Sequence, residues 1–246
     1  MRTVNIIPMA GDGQRFLSRG ILTPKPLILI DQIPMILKVT KNLPKSDLWI
    51  FICKESHIKN HSLDKLLKNE YKQSIIISVK ENTQGQAATC LLAENYLNED
   101  DQVYIYSCDT CLYFDHKKLL DKTFSNEATI ITSKPNKYAL NYPQQFGWVA
   151  SKKNIITEIA CKEKLISKKN GNVILGSFSF NNANLMIKVI KNVIDNKIKI
   201  NNEYYVDTVM QYALKDDFLI YDFNISNYVS FGTPEEIEIA NKDVYV

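Results

Sequence analysis

Five short apolar runs alternate with amphipathic stretches over the first two thirds of the chain. The runs, rich in Ile and Val, are TVNIIPM, LWIFICK, SIIISVK, QVYIYSC and ATIITSK. Each has the length of a strand and is apolar on both faces, as strands buried in a parallel sheet are. The stretches between them are helix candidates. This alternation predicts an α/β fold with a Rossmann-like, mostly parallel central sheet and helices on both faces.

The pattern changes near Phe146. Strands of another kind, FGWVASKKNIITEIA and VILGSFSF, flank the lysine-rich segment CKEKLISKKNGN, and two helices, a strand and a closing helix follow. No linker rich in Gly, Ser or Pro separates the parts. We therefore predict a single domain over residues 1–246, with a core of residues 1–135 and 175–246 and a small β-rich lid over residues 136–175.

The charge and hydropathy of the chain limit the classes of partner that it can bind. The formal net charge is only +3 and the lysines are spread along the chain, which argues against nucleic acid as a partner. No run approaches the roughly 18 to 20 apolar residues of a membrane span, and we find no signal peptide. Five cysteines, an odd number, fit reduced thiols. These features predict a cytoplasmic protein without membrane contact and leave a homodimer open.

The segment MAGDGQRF follows the first predicted strand. Ligands of open parallel sheets bind outside the carboxyl ends of the strands. Gly11 and Gly13 lack a Cβ, so the backbone can adopt positive φ and bring N–H groups close to an anion. Arg15 adds a fork of donors, and Lys25 adds a point charge. The segment predicts a phosphate site; the alternative is an ordinary glycine turn with a solvated arginine.

Two familiar phosphate loops do not fit this segment. A dinucleotide-binding loop needs a third glycine, in the pattern G-x-G-x-x-G, and none stands at that place. A P-loop needs G-K-[ST], which is also missing.

Seven segments in the same order resemble the nucleotidylyltransferases, which join a nucleoside monophosphate to a phosphorylated metabolite and release pyrophosphate. The resemblance implies the nucleotide-diphospho-sugar transferase type of fold and covers nearly the full length. The segments are PMAGDGQRF with TPKPLILID, TQGQAAT, SCDT, FGWV, ACKEKL, GSFSF and SFGTPEEIEIAN.

The resemblance implies a donor site around the glycine segment. Its nucleotide-binding residues would be Met9, Ala10, Gly11, Gly13, Gln84 and Gly85. Arg15 and Lys25 would be catalytic residues that stabilise charge on the triphosphate and on the α-phosphate. Asp109 would be catalytic as the ligand of Mg²⁺. The alternative for Asp109 is a cap on the next helix.

The resemblance also implies an acceptor site, with one departure from the family pattern. The acceptor-binding residues would be Lys162, Lys164, Gly147 and Trp148. Where the family carries a second metal-binding Asp, this chain has Ser230. Asp207 is the candidate replacement, because Glu203 and Asp207 are four residues apart and would share a helical face. The alternative for this pair is a solvated, acidic helix start.

The substrates are predicted only by class. The resemblance favours CTP as donor, without excluding UTP, dTTP or GTP. The acceptor would be a sugar phosphate, a phosphorylated alcohol or a phosphorylated amino acid derivative such as glutamine phosphate, and the product a precursor for surface polysaccharide or envelope decoration. Two alternatives stay open: a noncatalytic sensor of nucleotide sugars and a glycosyltransferase of related fold, although the latter's D-x-D motif is missing at Asp109.

Overall fold

The computed structural model describes residues 1–162 and 171–243. The strands are β1 Thr3–Met9, β2 Leu29–Ile30, β3 Ile33–Pro34, β4 Leu48–Lys54, β5 Ser74–Val79, β6 Gln102–Ile105, β7 Thr110–Tyr113, β8 Ala128–Ser133, β9 Gly147–Lys152, β10 Ile155–Cys161, β11 Asn172–Phe180, β12 Ile220–Asn224 and β13 Asn227–Ser230. The helices are α1 Gln14–Leu17, α2 Met35–Thr40, α3 Glu55–His61, α4 Leu63–Glu70, α5 Gln86–Leu91, α6 His116–Ser125, α7 Lys137–Asn141, α8 Ala183–Asp195, α9 Val206–Lys215 and α10 Pro234–Asp243. None of the helices in these ranges is both long and apolar enough to cross a membrane.

Nine strands form one twisted sheet in the order β5-β4-β1-β6-β11-β8-β12-β10-β9. The strands β5, β4, β1 and β6 run parallel, and β12 runs parallel to β8. Strand β11 is antiparallel to its neighbours β6 and β8. All five apolar runs are strands of this sheet, so the predicted α/β fold is confirmed.

Helices cover both faces of the sheet. On one face, β1 packs through Val4 and Ile6 into a cluster with α5, α8 and α9. On the other face, β1 packs through Ile7 and Met9 into a cluster with α2, α4 and α6. Burial on both sides explains why this strand carries apolar residues on both faces, as strands between two helical layers do.

The two strands β9 and β10, inside the predicted lid, continue the main sheet. They form an antiparallel hairpin, and β10 also pairs with β12 while β9 pairs with β11. The buried carboxylate of Asp222 on β12 accepts hydrogen bonds from Ser151, at 2.6 Å, from Asn172, at 3.0 Å, and from Thr132. It therefore ties this hairpin to the core. The boundary between core and lid stays a prediction.

One local prediction was wrong. Helix α9 begins at Val206, too late to include Glu203, because Glu203 pairs with Ile200 through two backbone hydrogen bonds and Tyr205 is extended. Glu203 and Asp207 therefore share no helical face. The alternative for Asp109, a cap on the next helix, does not hold, because strand β7 follows Asp109 and helix α6 is capped by Asp115.

Candidate active site

The glycine segment and Asp109 meet at one edge of the sheet. The segment leaves the carboxyl end of β1, and Asp109 follows the carboxyl end of β6. Because β1 and β6 are adjacent and parallel, both ends lie side by side. This is the edge at which ligands of open α/β sheets bind.

Gly13 has the backbone conformation that the phosphate-loop hypothesis requires. Its φ is +67°, and a Cβ there would lie 3.3 Å from the Cβ of Lys25. Gly11, by contrast, does not adopt positive φ, and the space around its Cα is open. The N–H groups of residues 11–15 donate to no other group in residues 1–162 and 171–243. The turn thus offers unused backbone donors to an anion.

The glycine-loop cleft is a cavity of about 380 Å³ beside this turn. It contains six of the predicted donor-site residues, and Gln84 is not among its lining residues. The lining is Pro8, Met9, Ala10, Gly11, Asp12, Gly13, Gln14, Lys25, Pro26, Asn82, Thr83, Gly85, Gln86, Thr89, Cys108 and Glu203.

Gly85 shapes the far wall of the glycine-loop cleft. It has φ +113°, and a Cβ there would lie 2.6 Å from the backbone nitrogen of Tyr204. Tyr204 donates its N–H to the carbonyl of Gln84 at 2.7 Å and accepts from the N–H of Ala87 at 2.9 Å. The backbone of Gln84 therefore fixes Tyr204 beside Gly85, and only glycine fits there.

Lys25 and Asp109 form a shielded ion pair beside the glycine-loop cleft, with side chains 17% and 20% exposed. Ser107 and Thr110 donate their hydroxyls to the other carboxylate oxygen of Asp109. Burial opposes ionisation of Asp109, but Lys25 and these hydroxyls outweigh it and lower the pKa of Asp109 to about 2. Burial likewise disfavours the charge on Lys25, but Asp109 outweighs it and raises the pKa of Lys25. Both groups are charged at neutral pH.

The Asp109 cleft is a smaller cavity of about 180 Å³ on the other side of this pair. It brings together Arg15 and Lys162 from the sequence-predicted set; Lys164 lies outside the described residues. The lining is Arg15, Ser107, Asp109, Thr110, Tyr138, Gln145, Phe146, Lys162, Ile174, Leu175, Gly176, Tyr228, Ser230, Gly232 and Glu236.

Gly147, Trp148 and Asp207 line neither of these two clefts. The indole of Trp148 donates to the carbonyl of Pro143 at 2.8 Å. A Cβ on Gly147 would lie 2.0 Å from Oδ2 of Asp207, so the carboxylate packs directly on this glycine. Burial raises the pKa of Asp207, and Lys162 opposes this rise. The structure does not bring Asp207 to Asp109 in either cleft.

Sequence reasoning missed Glu236, which lies in the first turn of α10. A Cβ on Gly232 would lie 2.9 Å from Oε2 of Glu236 and 3.5 Å from both Oδ2 of Asp109 and Oγ of Ser230. Oxygens of Glu236, Asp109 and Ser230 therefore lie close to Gly232, which also lines the Asp109 cleft. Burial raises the pKa of Glu236. The segment GTPEE gave no local signal that Glu236 faces inward.

Gly176 was also missed. It has φ +64° at an irregularity in β11, where the pairing with β8 shifts between Ile174 and Ser177. A Cβ there would lie 3.3 Å from the Cβ of Ser107. The bulge lets β11 pass close to the serine that orients Asp109, as bulges beside functional sites do.

The two clefts can hold two anions and a hard cation. Arg15, Lys25 and Lys162 are positive, while Asp109 and Glu236 supply carboxylate oxygens, which suit Mg²⁺. No group of three or more His, Cys, Asp and Glu side chains gathers for a metal within residues 1–162 and 171–243. A metal here would therefore need oxygens from a substrate as well.

Comparisons with curated proteins give partial matches. The mannose-1-phosphate guanyltransferase of Debaryomyces hansenii is 29% identical over 143 residues, 55% of this chain and 40% of that protein. The enzyme of the same name from Saccharomyces cerevisiae is 28% identical over 144 residues, with 55% and 40% covered. The chain thus spans about two fifths of the length of these relatives.

Comparisons with solved structures cover nearly all of the chain. The nucleoside-diphosphate-sugar pyrophosphorylase from Vibrio cholerae RC9 aligns with a TM-score of 0.79 at 15% identity, covering 96% of this chain and 98% of that one. The inositol-1-phosphate CTP transferase from T. maritima aligns with a TM-score of 0.72 at 17% identity, covering 98% and 96%. These likenesses establish the fold.

The family comparison goes further than the fold. The model of the nucleotidyl transferase family matches residues 4–244, nearly the whole sequence. The match includes the glycine segment, Lys25 and Asp109, which the structure brings to one edge of the sheet. The chain therefore belongs to the nucleotidyl transferase family.

Proposed function

We propose that this chain transfers a nucleoside monophosphate from a nucleoside triphosphate to a sugar phosphate and releases pyrophosphate. The observation that carries the proposal is the Lys25–Asp109 pair, which stands between two clefts. One cleft offers free backbone donors, and the other offers Arg15 and Lys162. Two anionic substrates could thus approach a shared point from opposite sides.

The reaction requires little covalent participation by the protein. An oxygen of the acceptor phosphate attacks the α-phosphorus of the nucleotide, a new P–O bond forms, and the bond to the β-phosphate oxygen breaks. No general base is needed, because the attacking phosphate is ionised at neutral pH. The N–H groups of residues 11–15 would bind the triphosphate, and Arg15 and Lys25 would stabilise the charge that develops during transfer.

Mg²⁺ is part of this proposal. Asp109 and Glu236 would hold the ion, because both carboxylates line the Asp109 cleft and Mg²⁺ accepts one or two carboxylates together with phosphate oxygens. A bound Mg²⁺ would neutralise charge on the phosphates and orient them. Glu236 would then take the role that the sequence alone gave to Asp207.

Replacing Glu236 with Gln should weaken divalent-ion binding about tenfold or more, because one of two anionic ligands is lost. Titration with Mn²⁺, followed by the electron paramagnetic resonance signal of the free ion, measures this directly. Glu235→Gln is the matched control, because Glu235 pairs with Arg19 and does not line the Asp109 cleft. Weakened binding in Asp207→Asn with unchanged binding in Glu236→Gln would instead return the role to Asp207.

Pyrophosphate release tests the proposed activity. The full chain is incubated with each of CTP, GTP, UTP and dTTP, and with sugar 1-phosphates, phosphorylated alcohols or glutamine phosphate. We retain CTP as the proposed donor, and GTP is the second candidate because the fungal relatives are guanyltransferases. Release should require both substrates. No release with any pair, together with tight binding of a nucleotide sugar, would favour a sensor; sugar transfer from a nucleotide sugar would favour a glycosyltransferase.

Replacing Lys162 with Ala should raise the KM for the acceptor about tenfold while leaving the KM for the nucleotide within about twofold. Lys162 lines the Asp109 cleft, its ammonium donates to the carbonyl of Gln145, and it lies 5.4 Å from the ring of Tyr205. Steady-state kinetics at varied acceptor measure the effect. Lys152→Ala, on the exposed end of β9, is the control. Equal changes in both KM values would contradict an acceptor-side role.

The proposal extends to the use of the product and to the location of the chain in the cell. We propose that the product serves surface polysaccharide or envelope decoration and that the chain acts in the cytoplasm. Its oligomeric state, including a homodimer, can be measured in the same preparations by light scattering.

A further inference from the structure

The glycine loop comprises residues 11–15. The side chain of Asp12, the middle residue of the sequence GDG, is held by two side chains from outside this loop. Lys54 donates its ammonium to one carboxylate oxygen of Asp12, and Asn82 donates its amide N–H to the other. The side chains of Asp12 and Lys54 are only 25% and 20% exposed. Both acceptor oxygens of Asp12 therefore have partners within the protein.

The three residues come from three neighbouring strands. Asp12 follows β1, Lys54 ends β4, and Asn82 follows β5, and these strands are adjacent and parallel in the order β5-β4-β1. Their carboxyl ends lie next to one another, so this contact links the glycine loop to the rigid sheet. Side chains fixed by such partners hold a binding loop in place before the ligand arrives.

The loop has few other attachments. Within residues 11–15, the carbonyl of Gly13 accepts from the N–H groups of Phe16 and Leu17, at 2.9 and 3.2 Å, and the carbonyls of Gln14 and Arg15 accept from Ser18, at 2.9 and 3.1 Å. All of these donors follow directly in the chain and none belongs to the sheet. The N–H groups of the same five residues donate to no group in the described parts of the chain. The Asp12 side chain therefore carries much of the loop's connection to the sheet.

We propose that Lys54 and Asn82 are positioning residues that fix the glycine loop through Asp12 in the conformation that receives the triphosphate. The inference rests on the proposed function. Lys54 does not line the glycine-loop cleft, whereas Asp12 and Asn82 do, so Lys54 acts through Asp12. Lys54 also neutralises a carboxylate that would otherwise repel the triphosphate at short range.

Binding of Mg-CTP and Mg-GTP to the full chain, measured by calorimetry, tests this inference. We expect Lys54→Met and Asp12→Ala each to weaken binding of the nucleotide that supports pyrophosphate release, by about tenfold. The double variant should bind no more weakly than the weaker single variant, because both changes remove one shared contact. Lys54→Arg should restore most of the affinity.

A gain of nucleotide affinity in Asp12→Ala, instead of a loss, would indicate a competing role for Lys54. If Lys54 instead binds phosphate directly, Asp12→Ala frees the ammonium of Lys54 and tightens nucleotide binding. This outcome overturns the inference. Lys59→Met is the matched control, because Lys59 pairs with Glu55 on the exposed side of α3 and should leave affinity unchanged. Thermal unfolding of each variant separates lost positioning from lost folding.

The failure of this inference and that of the proposed function are distinguishable. Tighter binding by Asp12→Ala, with pyrophosphate release intact in the unmodified chain, rejects the positioning role alone. No binding of any nucleoside triphosphate by the unmodified chain rejects the proposed function itself.

Discussion

Lys25→Met should lower kcat for pyrophosphate release by about a thousandfold or more, because it removes a cation beside the phosphorus that is attacked. Lys25 lies in the wall of the glycine-loop cleft and pairs with Asp109. No other lysine among the residues described lines that cleft. The loss should therefore exceed that from any single acceptor-side lysine. Single-turnover measurements with saturating substrates separate this effect from weaker binding.

The same substitution should also reduce stability, and this must be separated from catalysis. It leaves the Asp109 carboxylate shielded from water without its cation, which costs about 3 kcal/mol. The double variant Lys25→Met, Asp109→Asn removes both charges and should recover much of that stability but none of the activity. Urea unfolding at neutral pH measures the first quantity, and pyrophosphate release measures the second.

The pH dependence of this stability has a definite sign. The pKa of Asp109 is about 2 in the folded chain against an ordinary value of 3.8. The contribution from its ionisation is complete above the ordinary value and is lost as pH falls through about 2. The stability difference between the wild-type chain and the neutral double variant should shrink over that window.

Full activity in Lys25→Met would contradict the catalytic prediction and remove Lys25 from the mechanism.

Gly85→Ala should destabilise the chain by about 2 kcal/mol or more and weaken nucleotide binding at least about tenfold. The added Cβ would lie 2.6 and 2.7 Å from the backbone nitrogen and oxygen of Tyr204, at a residue with φ +113°. Those two atoms also form the hydrogen bonds to Gln84 and Ala87. The substitution therefore separates the two backbones that make the wall of the glycine-loop cleft.

Gly11→Ala is the stability control for this experiment. Nothing lies within 4 Å of a Cβ at Gly11, and its φ is not positive, so unfolding should be unchanged. Calorimetric unfolding and nucleotide titration on both variants give the comparison. Equal stability of Gly85→Ala and the wild-type chain would show that the contact between Gly85 and Tyr204 is not needed.

Local patterns predicted the strands and led to the proposed position of the donor site. Strand β1 was recognisable because it is apolar on both faces, and the glycine segment was recognisable because it follows that strand directly. Asp109 was expected as a metal ligand from the family resemblance, and it too follows a buried run. The first two inferences need only a few neighbouring residues and the rule that parallel strands end at one edge.

Features that depend on distant contacts were not predictable. Glu203 falls outside its expected helix because it pairs with Ile200 in a tight turn, which overrides helical spacing. Glu236 reaches Asp109 from more than a hundred residues away, and nothing in GTPEE reveals which of its two glutamates faces inward. The contacts of Asp12 with Lys54 and Asn82 likewise require knowledge of the strand order.

The ion pairs of Lys25 and Lys54 affect the electrostatic attraction between the protein and an approaching nucleotide. Lys25 and Lys54 are each matched by a carboxylate, so their fields largely cancel beyond a few ångströms. Arg15 is exposed and forms no ion pair with the residues described. Diffusional encounter with a triphosphate should therefore depend on Arg15 more than on Lys25 or Lys54, and association rates should fall with ionic strength less steeply than three free cations would require.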